Sequence, residues 1–265
     1  MGLRDQRFVI LDTETTGADA AAGDVPIEVA VIEWRNGKPG AHESWLVDPQ
    51  RFIHPAASAV HGLSDADVEG KPIMAEVLPA ILEFIGDSPL VAHNSPFDRG
   101  MMPALETHQW IDSLRLARHT WSLGERNEKG FELTSHKQQE IRFWLGLTVD
   151  TMGLAAHRAL GDVLVTGDLF QLTIDKYLAD GHKDDLAEFI AYAEAPVQWP
   201  RMPWGMHKGK EFADLPSKFL TGQITLYGEG KLDEDLGQIL IKEQARRISA
   251  ERIQQTSIFA RKPGA

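Results

Sequence analysis

Phe8-Val9-Ile10-Leu11-Asp12-Thr13-Glu14-Thr15-Thr16-Gly17 runs from an apolar stretch into a polar, glycine-ended turn. Four apolar residues bounded by a turn read as a short buried strand over Phe8–Leu11. Asp12 and Glu14 follow, two apart on extended chain. Side chains two apart on a strand face the same way, so two oxygen ligands converge at the end of that strand. Hard cations such as Mg²⁺ prefer such carboxylates. The pair by itself reads equally well as an exposed acidic turn.

Working outward, Ile27–Trp34 is rich in Val and Ile and stops at Asn36-Gly37, a strong hairpin signal. Ser44–Val47 then forms a third strand, completing an antiparallel meander. Ala75–Ile85 carries apolar residues at helical spacing (Val77, Leu78, Ile81, Leu82, Ile85) and ends at Gly86. Short strands are predicted at Pro89–Ala92 and Trp110–Asp112. Helices are predicted over Ser95–Glu106, Leu114–Trp121, His136–Leu145, Arg158–Leu178 and Asp184–Ala193. A sheet that opens with a hairpin and continues with strands alternating with helices is a mixed α/β layer fold. Pro196, Pro200 and Pro203 then break regular structure. The expected organisation is a main domain over 1–180, a helix and linker over 181–200, and a small accessory domain over 201–265 with a helix over Asp233–Ser257.

The chain has 265 residues, 43% hydrophobic, enough for one core and a smaller unit. No apolar run approaches the ~18–20 residues of a membrane span. Met1–Arg7 lacks the features of a secretory signal. With no cysteine, disulfides, thiolate zinc sites and cysteine nucleophiles are excluded. The expected location is a reducing cytoplasm. Net charge is −12, which works against non-specific polyanion binding. It is unevenly spread: residues 1–195 carry 16 Lys/Arg and 31 Asp/Glu, a net of −15, and residues 196–265 carry 11 and 8, a net of +3. The basic tail is either a source of phosphate attraction or a solvated surface.

Two further segments carry acids. Asp98 closes His93-Asn94-Ser95-Pro96-Phe97-Asp98, one turn into the helix after a predicted strand. That position also suits an acid stabilised by the helix dipole. His93 and Asn94 fit a role tying the strand end to the turn. His157 and Asp162 are five apart, roughly 500° on a helix and so about 140° off register. The solution is His157 in the loop entering the helix and Asp162 inside it. A histidine of near-neutral pKa suits proton abstraction from water. Asp12, Glu14, Asp98 and Asp162 together can bind two cations roughly 3.5–4 Å apart, as in two-metal phosphoryl transfer.

These motifs resemble the DEDD exonucleases of the DnaQ type, in the subgroup with a histidine five residues before the last Asp. The resemblance covers about residues 7–178. It implies an RNase H-like mixed five-stranded sheet flanked by helices, two Mg²⁺ (or Mn²⁺) per active site, and 3′→5′ release of nucleoside 5′-monophosphates. It also implies that backbone around Thr15 approaches the terminal nucleotide and that His61 lies near the scissile end. Relatives carry a Glu five residues before that histidine, where this chain has Ala56, which weakens a proofreading-subunit role. Within the family the chain resembles the exodeoxyribonuclease X group in His157-Arg158-Ala159-Leu160 and in a C-terminal extension containing Trp204-Gly205-Met206-His207-Lys208-Gly209-Lys210. Glycine-enabled turns there can bring backbone N–H groups, Lys208 and Lys210 to phosphate, with Trp204 able to stack on a base. The expected partner is DNA, single-stranded or with 3′ ends, in repair or recombination. An exoribonuclease on the same fold is the alternative, since sugar choice depends on contacts to a 2′-hydroxyl. A non-catalytic nucleic-acid-binding protein is the third reading.

Overall fold

The computed structural model describes residues 2–150 and 158–260. The chain divides into two compact units, with the boundary between Ala195 and Pro196. The first is built on five strands: β1 Phe8–Thr15, β2 Pro26–Arg35, β3 Lys38–Leu46, β4 Leu90–Ala92 and β5 Trp110–Asp112, in the spatial order β3-β2-β1-β4-β5. The first three form the antiparallel meander, turning at Asn36-Gly37 with both residues at positive φ. β4 runs parallel to β1, and β5 parallel to β4. Eight helices accompany them among the described residues: α1 Pro55–His61, α2 Asp65–Val68, α3 Met74–Ile85, α4 Ser95–Met101, α5 Ser113–Thr120, α6 Gln138–Leu145, α7 Ala159–Ala179 and α8 Leu186–Glu194. This is the mixed five-stranded sheet flanked by helices that the motifs imply.

Strand periodicity sorts the core into two layers. Phe8 and Ile10 of β1, with Ala30, Ile32 and Trp34 of β2, pack with Val163, Phe170 and Ile174 of α7. Val9 and Leu11, with Val29 and Val31, pack on the other face with Val77, Ile81 and Ile85 of α3. Alternation puts the even residues of β1 toward α7. Asp12 and Glu14 continue that even row. At Gly167 the helix comes so near the sheet that an added Cβ would lie 2.3 Å from the Trp34 ring.

The sheet opens where it matters. β1 pairs with β4 at Val9 and Ile10, whereas pairing with β2 continues to Thr15. From β1 the chain leaves toward β2 on one side, and from β4 toward β5 on the other. Such a switch point leaves a crevice at the carboxyl ends of two parallel strands, a common ligand position in α/β sheets.

Several boundaries differ from expectation. β1 reaches Thr15 rather than Leu11, because its ladder with β2 outlasts the apolar run, so Asp12 and Glu14 lie within the strand. α4 ends at Met101 rather than Glu106: Met102 precedes Pro103, and a residue before proline is disfavoured in helix. α1 and α2 are additional to the expected helices. α8 belongs to the first unit rather than a linker; Phe189 packs edge-on against Phe170 and Tyr177, with ring centroids 5.9 and 5.0 Å apart.

The second unit holds α9 Ser217–Gly228, also beyond expectation, and α10 Glu234–Ala260. Leu215, Leu220, Leu236 and Leu240 are buried there. Residues 201–210 form a compact turn in which Met202 N–H donates to Lys210 O and Gly209 N–H to Met202 O, both at 2.8 Å. Gly205 and Gly209 both adopt positive φ, which permits it.

Candidate active site

Three of the four expected carboxylates meet at the crevice. One oxygen each of Asp12, Glu14 and Asp162 lies within 4.8 Å of the others. β1 contributes two because they share a face. α7 contributes the third from its first turn, packed on that face. Glu14 and Asp162 are buried and Asp12 half-buried.

Asp98 stands beside this trio rather than in it. Its Oδ1 accepts the Thr13 hydroxyl at 2.8 Å, and the carboxylate lies beside the Thr13 backbone N–H. Asp98 thus takes the place beside β1 that β4 vacates after Ala92. Two turns are locked behind it. Asp112 Oδ1 accepts N–H bonds from Asn94, Ser95 and Leu114, joining the ends of β4 and β5. Asn94 supports its left-handed φ of 76° there, a conformation Asn tolerates. His93 Nε2 faces the His136 carbonyl at 2.9 Å and must be its donor, so Nδ1 accepts from the Ser113 hydroxyl at 3.0 Å. Burial lowers the His93 pKa, in keeping with that neutral tautomer.

So many carboxylates in one low-dielectric place resist ionisation. Burial pushes Glu14 up to about 8, aided by Asp162, Glu28 and Asp98. Burial, then Asp98, Glu14 and Asp162, raise Asp12 well above the carboxylate range. Asp98 is pushed up to about 7 by burial, against the opposing hydrogen bond from the Thr13 hydroxyl. Protons or cations relieve such crowding. An all-oxygen, anionic donor set suits a hard divalent cation, so the residues fit the metal expected of them.

A cavity of about 560 Å³ begins on the same strand end, lined by Thr13, Glu14 and Thr15 and walled by Val60, His61 and Phe97 among others. Thr15 and His61, the expected substrate contacts, both line this cavity. His61 closes α1, buried, with Nδ1 accepting the Leu63 N–H at 3.0 Å. His157 lies outside the described residues. Trp204, Lys208 and Lys210 belong to the second unit. Trp204 packs edge-on against Trp199 at 5.5 Å, and both lysines are exposed.

Sequence reasoning missed Glu28 and Arg158. Glu28 lies on β2 directly opposite Glu14. Its carboxylate accepts Arg158 Nε at 3.1 Å, Arg158 Nη2 at 2.9 Å and the Ala159 N–H at 3.3 Å. It thereby caps α7, whose own N-cap residue, Arg158, makes no side-chain cap. The signal was present: a lone acid in the otherwise apolar run Ile27-Glu28-Val29-Ala30-Val31-Ile32.

An exonuclease family model, RNase_T, matches residues 9–170. The chain belongs to this family. The match takes in all of the sheet but Phe8, together with α1 to α6, and bears out the DnaQ-type resemblance. Exodeoxyribonuclease 10 of Escherichia coli K12 is 30% identical over 211 residues, covering 79% of this chain and 85% of that protein. A DNA polymerase III subunit epsilon-like protein of Rhodobacter capsulatus is 33% identical over 172 residues, 62% of this chain. The matched region spans only 23% of that longer relative. Among solved structures, exonuclease X in complex with 5′ overhanging duplex DNA aligns with TM-score 0.54 and 30% identity, over 69% of this chain and 98% of the other. Escherichia coli exonuclease I in complex with a dT13 oligonucleotide aligns at TM-score 0.55 with 19% identity, over 66% and 42%, a likeness of fold alone. Among the described residues no helix is long and apolar enough to cross a membrane.

Proposed function

We propose that this chain is a divalent-metal-dependent 3′→5′ exodeoxyribonuclease that releases nucleoside 5′-monophosphates from DNA ends, in repair or recombination. One observation carries the reading: Glu14 belongs both to the Asp12–Glu14–Asp162 trio and to the wall of a cavity of about 560 Å³. Small-ligand pockets commonly run ~300–1,000 Å³, so this one takes a single nucleotide, which favours cutting at an end. DNA is the proposed substrate because the relatives at 30% identity are an exodeoxyribonuclease and an exonuclease solved on duplex DNA.

Asp12, Glu14, Asp98 and Asp162 would hold Mg²⁺ or Mn²⁺, two per site. When bound, such ions supply Lewis-acid stabilisation of charge developing at phosphorus. Thr13 fixes Asp98 for that role through its hydroxyl, at 2.8 Å. Val60 and Phe97 offer apolar walls for the terminal base, with Thr15 and His61 beside the sugar and phosphate. His157 would take the proton from the attacking water. Trp204, Lys208 and Lys210 would engage the strand away from the cut.

Matched 5′-labelled DNA and RNA oligonucleotides, with Mg²⁺ or EDTA, test the reading beside Asp98→Ala. A metal-dependent DNA ladder shrinking from the 3′ end is expected. Removing the acid should cost activity at least ~100-fold, since a bound cation contributes several kcal/mol. A ladder on RNA alone would make the enzyme an exoribonuclease, and no ladder from folded protein would leave it non-catalytic.

A further inference from the structure

The Asp162 carboxylate is held from a neighbouring helix. Gln139 on α6 donates its Nε2 to Asp162 Oδ1 at 2.9 Å. Its Oε1 accepts Arg142 Nη1 at 3.3 Å. A guanidinium only donates, so Arg142 decides which end of the amide faces the acid. Gln138 does something different. Its Nε2 lies 2.7 Å from the Asp162 main-chain oxygen and 2.7 Å from Thr166 Oγ1, which ties α6 to the α7 backbone, and its Oε1 accepts Gln139 Nε2 only at 3.4 Å, so it meets the carboxylate through Gln139 alone.

The start of α6 is itself anchored. Glu140 accepts the backbone N–H and hydroxyl of both Thr134 and Ser135. The His136 carbonyl is held by His93, five residues before Asp98. The helix carrying Gln139 is thereby referenced to the same frame as the Asp98 segment.

We propose that Gln139 is a positioning residue that orients Asp162 and sets its strength as a divalent-cation ligand. This rests on the proposed carboxylate site. A neutral amide suits that role, because it fixes one oxygen direction without cancelling the charge a cation needs, as a lysine would. A carboxylate has acceptor capacity for a hydrogen bond and a metal together. Partners of this kind are typically worth about 10–100-fold in metal affinity or activity.

The test is Mn²⁺ affinity without DNA, measured from free Mn²⁺ by electron paramagnetic resonance, with melting temperature in EDTA alongside. Gln139→Met keeps the length and removes the donor. It should weaken Mn²⁺ binding about 10–100-fold while the EDTA melting temperature barely moves. Gln138→Met should do the reverse, lowering the melting temperature and leaving Mn²⁺ affinity within about twofold of wild type. Wild-type affinity in Gln139→Met overturns the proposal, and so does equal weakening in both variants, which would make the glutamines merely structural. Asp162→Asn separates the layers. If it binds Mn²⁺ as wild type does, or if wild type binds none, the carboxylate site itself is wrong and the proposal falls with it.

Discussion

Glu14 faces Glu28 across one strand pair, and the two acids are treated oppositely. Glu28 is given Arg158 and the start of α7. Glu14 is given other acids, and its pKa climbs to about 8, with Asp98 at about 7 and Asp12 well raised. A folded pKa raised above the unfolded value means that the metal-free native state holds protons the unfolded chain has lost. The stability tied to those protons is complete below about pH 4 and is lost as pH rises through 7 and 8. In EDTA the melting temperature should therefore fall between pH 6.5 and 8.5. Excess Mg²⁺ should restore it more at pH 8.5 than at 6.5. His136, which burial lowers to about 4, has the opposite sign. Its stability contribution is lost as pH falls from about 6.5 to 4, so it does not intrude in this window. A flat EDTA profile would show that these carboxylates do not share a buried site.

At the level of elements, α7 decides whether Asp162 reaches β1. Its Gly167 is an unfavourable helix residue by about 1 kcal/mol, retained where Trp34 leaves no room for a methyl group. Gly167→Ala should lower stability by roughly 1–3 kcal/mol through overpacking, despite alanine's better helix propensity. A chemical denaturation curve no less stable than wild type would refute the close approach. This pairing also shows what is legible in sequence. The helix over Arg158–Leu178 and the strand over Ile27–Trp34 are visible as local apolar patterns, and the three acid motifs mark positions along the chain. Which faces meet is not local. Glu28 signals itself as an acid in an apolar strand, yet nothing nearby says that its partner is 130 residues away. Gln138 and Gln139 give no signal, since two surface-type residues beginning a helix look ordinary. α1 and α2 escaped because seven and four residues are too short for periodicity to register. His61 was placed by motif alone, and its burial came as a tertiary fact.

For the whole molecule, charge and sheet topology set the terms. The first 195 residues carry −15, which repels a polyanion, while residues 196–265 carry +3. Lys208 and Lys210 sit exposed on the turn shaped by Gly205 and Gly209. Lys208→Glu with Lys210→Glu should weaken DNA binding and reduce the salt slope by about 0.7 for each single-strand phosphate no longer neutralised. An unchanged slope would remove these lysines from the interface. The parting of β1 from β4 has a further consequence, which isotope exchange can read. Beyond Ile10, β1 has no β4 neighbour, and the Thr13 amide is covered by the Asp98 carboxylate, which the Thr13 hydroxyl holds in place. Its shielding from solvent deuterium should therefore depend on one side chain, whereas that of Val9, bonded to Pro89 in the intact sheet, should not. In Asp98→Ala the Thr13 amide should exchange quickly while Val9 stays slow, making a single backbone proton a gauge of whether the crevice is assembled.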